Sequence, residues 1–405
     1  MRKRILTVAV AAATLASGAQ AAGFYLKEHS VVGLGRAFAG AAAGTDGASS
    51  AYFNPAGIVG VEKQIEVGLN YIKPDVTVTD NGSAAAQVNL SLTPIGSLVG
   101  SRSEIKPYQG KNVPNLSYVH PLSDETAVSL AIGAPYGFSN DYGADTFNQA
   151  DHRKVEFSTI EMTFSYAKRL SPQTTVALSI LKQDLEIEQD KASPYGPDVK
   201  LKAESTDYGF GLALKHEVND QTTIGASYKS QVTHTGKGTL GADDITAPFQ
   251  LPDILALGVA HKASDSMRVY ADATWYGWSA YDEQPIKTTA GVLKTTVESN
   301  YSNTISFALG LEKDYDNGLT ARMGVHVDPT PTNDTDRSTS NPDSDRTWLA
   351  FGASKTINEN LTIDAGYTHI MADNGEINKA VTTGTIRAKT KGSTNIYSLG
   401  LRYKF

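Results

Sequence analysis

The sequence predicts an all-β fold: a fourteen-stranded antiparallel barrel of outer-membrane type, with a partly helical plug from the N-terminus inside its lumen. Three observations carry this. Apolar residues alternate with polar ones along many segments, tight turns alternate with long polar loops, and the chain begins like an exported protein. Its first residues, MRKRILTVAVAAATLASGAQA, set Arg2, Lys3 and Arg4 before an apolar run and end on Ala19-Gln20-Ala21, the small-x-small form of a signal-peptidase site. Residues 1–21 are therefore read as a signal peptide. The apolar run is too short for a membrane helix, and no later stretch reaches the roughly 18 apolar residues such a helix needs.

The strands follow from periodicity. The last segment, NIYSLGLRYKF, puts Tyr397, Leu399, Leu401, Tyr403 and Phe405 on one face and Ser398, Gly400, Arg402 and Lys404 on the other. The pattern recurs at Val176–Leu178–Ile180, Tyr208–Phe210–Leu212–Leu214, Ile224–Ala226–Tyr228, Leu255–Leu257–Val259, Val269–Ala271–Ala273–Trp275, Ile305–Phe307–Leu309–Leu311 and Leu361–Ile363–Ala365–Tyr367. Short connections rich in turn formers fall at 121–126, 170–174, 218–221, 262–266, 314–318 and 357–360. Long polar ones are expected near 79–107, 137–152, 190–200, 236–247, 281–295, 328–345 and 372–390. Six turns and seven loops join fourteen strands, and an even count with both chain ends on the periplasmic side is the layout of an outer-membrane barrel. A secreted β-sandwich also alternates, but it needs no aromatic C-terminus such as Phe405.

Residues 22–62 break the alternation and form the predicted plug; the barrel is expected over 63–405. Ser30 precedes Leu34, Ala37, Phe38 and Ala41 at helical spacing, and Asn54-Pro55 sets a cap residue before a proline at a first helical position. The run VVGLGRAFAGAAAG at 31–44 is no dinucleotide fingerprint, because Phe38 stands where the third glycine belongs. Its small residues suit a thin element packed inside a lumen.

Composition excludes several functions. Without residues 1–21 the chain carries 33 basic against 43 acidic residues, a net charge of −10, which argues against nucleic acid as a partner. There is no cysteine, hence no disulfide framework. No G-x-S-x-G or H-E-x-x-H occurs and the eight histidines show no metal-ligand spacing, so neither an enzyme, nor a cofactor, nor a metal is expected. The acidic run at Asp328, Asp334, Asp336, Asp343 and Asp345 lacks a complete calcium-loop spacing and reads as a solvated loop.

Several ordered stretches resemble a known family. AGFYLKEHSVVGLGRAFAG at 22–40, AYFNPAG at 51–57, LPDILALGVAH at 251–261, ADATWYGWSAYDE at 271–283 and NPDSDRTWLAFGAS at 341–354 are similar to the outer-membrane long-chain fatty acid transporters, a family that includes toluene and xylene transporters. The resemblance implies passive passage of a hydrophobic small molecule through a barrel closed by a hatch. It implies capture at the outer rim, exit sideways into the lipid, and a monomer set among outer-membrane lipid and lipopolysaccharide. It places Asn54, Pro55 and Ala56 near the ligand; a helix cap is the other reading of Asn54.

Sideways exit needs a broken ladder. AVSLAIGAPYGFSN at 127–140 carries Gly133 and Pro135 inside a central strand, where a proline removes a ladder donor and a glycine marks bulges. A strand that simply ends there is the alternative. Tyr136, Phe138, Tyr142 and Phe147 are candidates for the outer capture surface, and Arg153, Lys154 and Arg346 for a carboxylate partner. Two rival functions remain at this point, a general diffusion porin and an uptake channel for aromatic hydrocarbons.

Overall fold

A computed structural model describes residues 23–88, 94–195 and 197–405. The expected signal peptide lies outside them. The chain forms a closed antiparallel barrel of fourteen strands. They are β1 (Gln64–Asp80), β2 (Lys111–Ser123), β3 (Thr126–Gly133 and Gly137–Asp141), β4 (Lys154–Arg169), β5 (Thr174–Lys191), β6 (Val199–Asn219) and β7 (Thr222–Lys229 and Val232–Leu240). The second half is β8 (Asp243–Leu251 and Ile254–Ser264), β9 (Met267–Tyr276 and Glu283–Thr288), β10 (Leu293–Glu298 and Thr304–Tyr315), β11 (Leu319–Asp328), β12 (Arg346–Thr356), β13 (Leu361–Val381) and β14 (Gly384–Lys404). The barrel closes where β1 pairs β14, from Gln64 opposite Lys404 to Asp80 opposite Ala388.

The alternating residues read from the sequence point outward. Leu178, Ile180, Tyr208, Phe210, Phe307, Leu309, Tyr397 and Leu399 are all exposed, which only a surrounding apolar medium makes tolerable in such density. The facing positions turn into the lumen, among them Ser179, Gln183, Thr274, Ser306 and Ser398.

Three of the expected long loops are strand instead. At 236–247, 281–295 and 372–390 the ladders continue upward and close in hairpins, as where Val381 pairs Gly384 and Leu240 pairs Asp243. β13 and β14 each run 21 residues, about 70 Å at the rise of an extended chain, against an apolar band of about 25 Å. Beyond the bilayer both faces are wet, so the apolar alternation stops while the ladder goes on.

Inside the lumen lie two single-turn helices, α1 (Val31–Leu34) and α2 (Ser50–Phe53), and three 3₁₀ turns at Ala41–Ala43, Gly47–Ser49 and Pro55–Ile58. Ser30 caps α1, its hydroxyl accepting from the Gly33 N–H. The helical spacing expected through Ala41 is broken, because Ala37 and Phe38 take positive φ of 55° and 62° and turn the chain back.

Room for this hatch comes from the wall. Glycines stand opposite each other across neighbouring strands at 68 and 400, 225 and 258, 310 and 324, and 352 and 366. A Cβ on Gly225 would collide with the Ala42 carbonyl, and one on Gly324 with that of Arg36. The hatch backbone therefore lies directly against barrel backbone.

Candidate ligand site and wall opening

The third strand is interrupted and resumes. β3 pairs β2 from Thr126 up to Ile132, opposite Leu116, and no further. Its partner β4 is held on both sides of the interruption, Gly133 opposite Glu161 and Gly137 opposite Ser158. Three residues, Ala134, Pro135 and Tyr136, thus face two on β4, the count of a bulge. Lys111–Asn115 of β2 keep β1 as their ladder partner and have none on the β3 side. The wall has a window there, beside the exposed Leu69 and Tyr71 of β1.

The hatch covers this window from inside. The Leu26 N–H donates to Pro135 O at 2.7 Å and the Gly137 N–H to Phe24 O at 3.0 Å, so residues 24–26 act as a borrowed strand along the interruption. His29 presses against Gly133, where any Cβ would strike its ring, and stacks on Tyr52 at 3.7 Å between centroids. The Asn70 and Asn115 side chains donate to Glu28 O at 2.8 and 3.3 Å.

Above Phe24 lies a cavity of about 540 Å³. Phe24, Phe138, Val155, Ile187, Leu201, Phe249, Tyr281 and Ile286 form its apolar part, and Gln189, Gln284, Thr296, Ser299, Ser338 and Asn341 its polar mouth. Phe24 is the hub of an aromatic cluster, 4.9 Å from Trp278, 5.0 Å from Tyr281, 5.1 Å from Phe157 and 5.4 Å from Phe138, mostly edge-to-face. Below it a second space of about 40 Å³ is bounded by Tyr25, Lys27, Phe38, Tyr52, Lys229, Ile254 and Tyr276. Burying an apolar chain here is worth about 0.8 kcal/mol per CH₂.

Buried charge lies close by. Lys229 pairs with Glu161 at 2.9 Å and sits 3.3 Å above the Tyr52 ring; Lys27 reaches His326 at 3.4 Å. Burial pushes the Glu28 carboxyl up to about 7, against the opposing pull of Arg346 and Lys27, and pushes the Lys27 ammonium down.

The residues singled out in the sequence divide into groups. Gly133 and Pro135 both lie at the interruption. Tyr136 and Phe138 sit with them inside the barrel, Phe138 lining the upper cavity. Tyr142 and Phe147 are buried under the loops, with the Tyr142 hydroxyl donating to Thr339 O at 3.0 Å. None of the four offers an exposed surface at the rim: Tyr136 and Phe138 pack against Phe24 of the hatch, and Tyr142 and Phe147 lie in a buried cluster with Val78, Leu98, Ile105 and Ile377.

Asn54 uses its whole amide. Oδ1 accepts from the Ala56 N–H at 3.1 Å, and Nδ2 donates to Ala42 O at 2.6 Å and to Leu214 O at 2.9 Å. It caps the turn and ties the hatch to β6. Neither Asn54 nor Pro55 nor Ala56 lines the two cavities.

Among the carboxylate candidates, Arg153 is spent on Asp198 and Gln149 at the outside, and Lys154 is exposed. Arg346 alone is in the lumen, buried between Asp343 at 3.1 Å and Asp328 at 3.6 Å. Sequence reasoning missed Lys27, Lys229, Glu161 and the glycine pairs. For the last a signal was present, since glycines recur at the centres of strands that otherwise alternate cleanly.

A profile of the family described as "Outer membrane protein transport protein (OMPP1/FadL/TodX)" matches residues 12–405. The chain belongs to this family. It is thus an outer-membrane transporter of hydrophobic compounds. Relatives include outer membrane protein P1 of Haemophilus influenzae, 26% identical over 453 residues with 98% of each chain covered, and the long-chain fatty acid transport protein of Escherichia coli O6:H1, 24% identical over 452 residues with 98% of each covered. In fold it is similar to a Pseudomonas aeruginosa FadL homologue, at a TM-score of 0.85 and 21% identity over 95% of this chain and all of that one. The P. putida toluene transporter TodX gives 0.67 and 17%, over 89% of this chain and 94% of that one.

Proposed function

We propose that this protein passes long-chain fatty acids or related hydrophobic molecules through the outer membrane without an energy source. The ligand enters the cavity above Phe24, moves past the segment Phe24–Leu26, and leaves sideways through the window between β2 and β3. One observation carries this reading: the ladder is broken at Ala134–Tyr136 at the level of the exposed apolar residues, where hatch and cavity meet. A sideways exit spares the acyl chain a passage through water, whose cost grows with each CH₂.

A general diffusion pore needs a continuous aqueous path. Here Val31–Leu34, Ala41–Ala43 and Pro55–Ile58 are buried within the lumen. The cavity's volume of about 540 Å³ is more than a single aromatic ring fills and favours a chain, which leaves an aromatic hydrocarbon as the competing ligand. Equilibrium binding of labelled oleate to the purified barrel, with toluene as competitor, tests this. Saturable oleate binding that toluene disturbs little is expected; no saturable binding of either compound overturns the proposal.

A further inference from the structure

The ladder is broken a second time, between β6 and β7. The two strands pair from the turn below them up to Gly211, opposite Lys229, and again from Glu204, opposite Lys237, upward. In between, Ser205–Phe210 have ladder partners in β5 alone, and the Ser230 N–H closes the lower edge on Phe210 O at 2.9 Å. This gap stands in the same row of the wall as the first one: Gly133 lies opposite Glu161, Glu161 opposite Gln183, and Gln183 opposite Asp207.

The hatch covers the first gap, whereas side chains mend the second. Ser230 Oγ accepts from the Phe210 N–H at 3.0 Å, and Asp207 Oδ2 accepts from the Thr235 N–H at 3.3 Å and from Ser205 Oγ at 2.6 Å. Behind them His234 sets Nδ1 2.7 Å from Ser205 Oγ and donates through Nε2 to Gln183 Oε1 at 2.9 Å, and Gln183 Nε2 donates to Glu161 at 3.0 Å.

Asp207 is left open to the outside. The neighbouring Tyr208 is exposed on the outer face, so alternation turns Asp207 inward, yet its side chain is 34% exposed. His234, Gln183 and Glu161 behind it are all buried, so that exposure is through the gap. Among the described residues Asp207 Oδ1 accepts no hydrogen bond, and no Lys or Arg pairs with the carboxylate.

The depth of the gap is fixed by its neighbours. Phe210 lies opposite Ile180, both exposed and apolar, while Tyr208 lies opposite Lys182 and Thr206 opposite Asp184. The gap therefore straddles the outer edge of the apolar band, where acyl chains end and headgroups begin. Below it Phe210, Leu212 and Leu214 form an outward apolar track down β6. A carboxylate with a free oxygen at the edge of hydrocarbon is satisfied by a hydrogen-bond donor and repels an anion.

We propose that this gap binds a neutral single-chain amphiphile with a hydroxyl head, a long-chain alcohol. Its O–H donates to Asp207 Oδ1 from the outer leaflet, and its tail lies along Phe210, Leu212 and Leu214. An ionised fatty acid is turned away here. The site lies outside the passage described above and stands or falls without it.

In the test, the full-length barrel in nanodiscs is irradiated with hexadecanol that carries a diazirine on its chain, and the labelled residues are found by mass spectrometry. Label should concentrate on residues 205–214 and 228–236, and unlabelled hexadecanol should compete it away. Hexadecanoate at about pH 9, well above the carboxyl range, should not. Asp207→Leu should lower the label about tenfold, the worth of a hydrogen bond to a charged group. Asp207→Asn keeps an acceptor and drops the charge. Labelling by the alcohol should then largely persist and hexadecanoate should compete, a change that loss of structure alone does not produce. That variant carries the test should Asp207→Leu fail to assemble. Label spread evenly over the lipid-facing strands, with Phe307 and Leu309 of β10 marked as strongly, overturns the proposal. So does hexadecanoate competing as well as hexadecanol in the parent, or an Asp207→Asn barrel that still excludes hexadecanoate.

Discussion

The two parts of the hatch are built differently. Residues 31–62 are fitted to the wall, backbone against glycine, and fastened by buried polar groups. Arg36 is fully buried, with Nη2 2.6 Å from Asp46 Oδ1, Nε 2.6 Å from Ala39 O and its guanidinium 4.1 Å from the Tyr270 ring. Ser49 Oγ donates to Glu66 at 2.6 Å and the Ala42 N–H to Asp272 at 3.0 Å. Residues 23–30 instead hang on a few backbone hydrogen bonds, with aromatic rings on one side and buried ionisable groups on the other. The contrast teaches that one segment is held by two different means: residues 31–62 by backbone fitted against wall glycines and buried ion pairs, residues 23–30 by a few hydrogen bonds and aromatic contacts.

The largest effect should come from the fitted part. Arg36→Leu strands Asp46 in the lumen, and breaking a buried pair costs about 3–5 kcal/mol. The heat-modified mobility shift of the folded barrel should then appear at a markedly lower temperature. A parent-like transition would show that residues 31–62 are loosely held and would erase the contrast.

Asn54→Ala should cost less, about 1–2 kcal/mol for a cap and its ties. Because its amide is fully used within the protein, oleate affinity should stay close to the parent's. A large loss of affinity with unchanged thermal stability would move Asn54 to the ligand.

The smallest effect concerns pH and belongs to the hanging part. The Glu28 carboxyl is raised from 4.5 to about 7 when seated, so the seated state is favoured below pH 4.5 and loses this advantage as pH rises through 7. Amide exchange over residues 23–30 should quicken across that window beyond its intrinsic pH dependence. Glu28→Gln should flatten the excess; an unaltered profile would remove Glu28 as its source.

How much of this was legible depended on where each residue's neighbours lie. Leu178, Leu309 and Leu399 betray their strands because lipid imposes apolar alternation on one face. Above the bilayer nothing imposes it, so the upper parts of β7 to β10, β13 and β14 read as loops. Gly133 and Pro135 marked the interruption through their own backbone chemistry. Tyr142 and Phe147 looked like rim residues because what buries them comes from distant segments: Val78, Leu98, Ile377 and Ile386 share their cluster, and the Tyr142 hydroxyl donates to Thr339 O. Arg346, Asp328 and Asp343 were all visible as charges, but the two aspartates read as part of a solvated loop, because only the fold turns all three inward and buries them together.

The most direct test of lateral release is to close the window without altering a residue that lines the upper cavity. Deleting Pro135 leaves two residues opposite two on β4, which restores the register between Gly133 and Gly137. Oleate uptake and oleate binding should be measured in the same cells for parent and deletion. Uptake reduced at least about tenfold with binding retained is the predicted result, because the ligand is captured and cannot leave. Uptake at the parent's rate, in a barrel whose ladder is shown to be continuous by backbone exchange, would contradict lateral release.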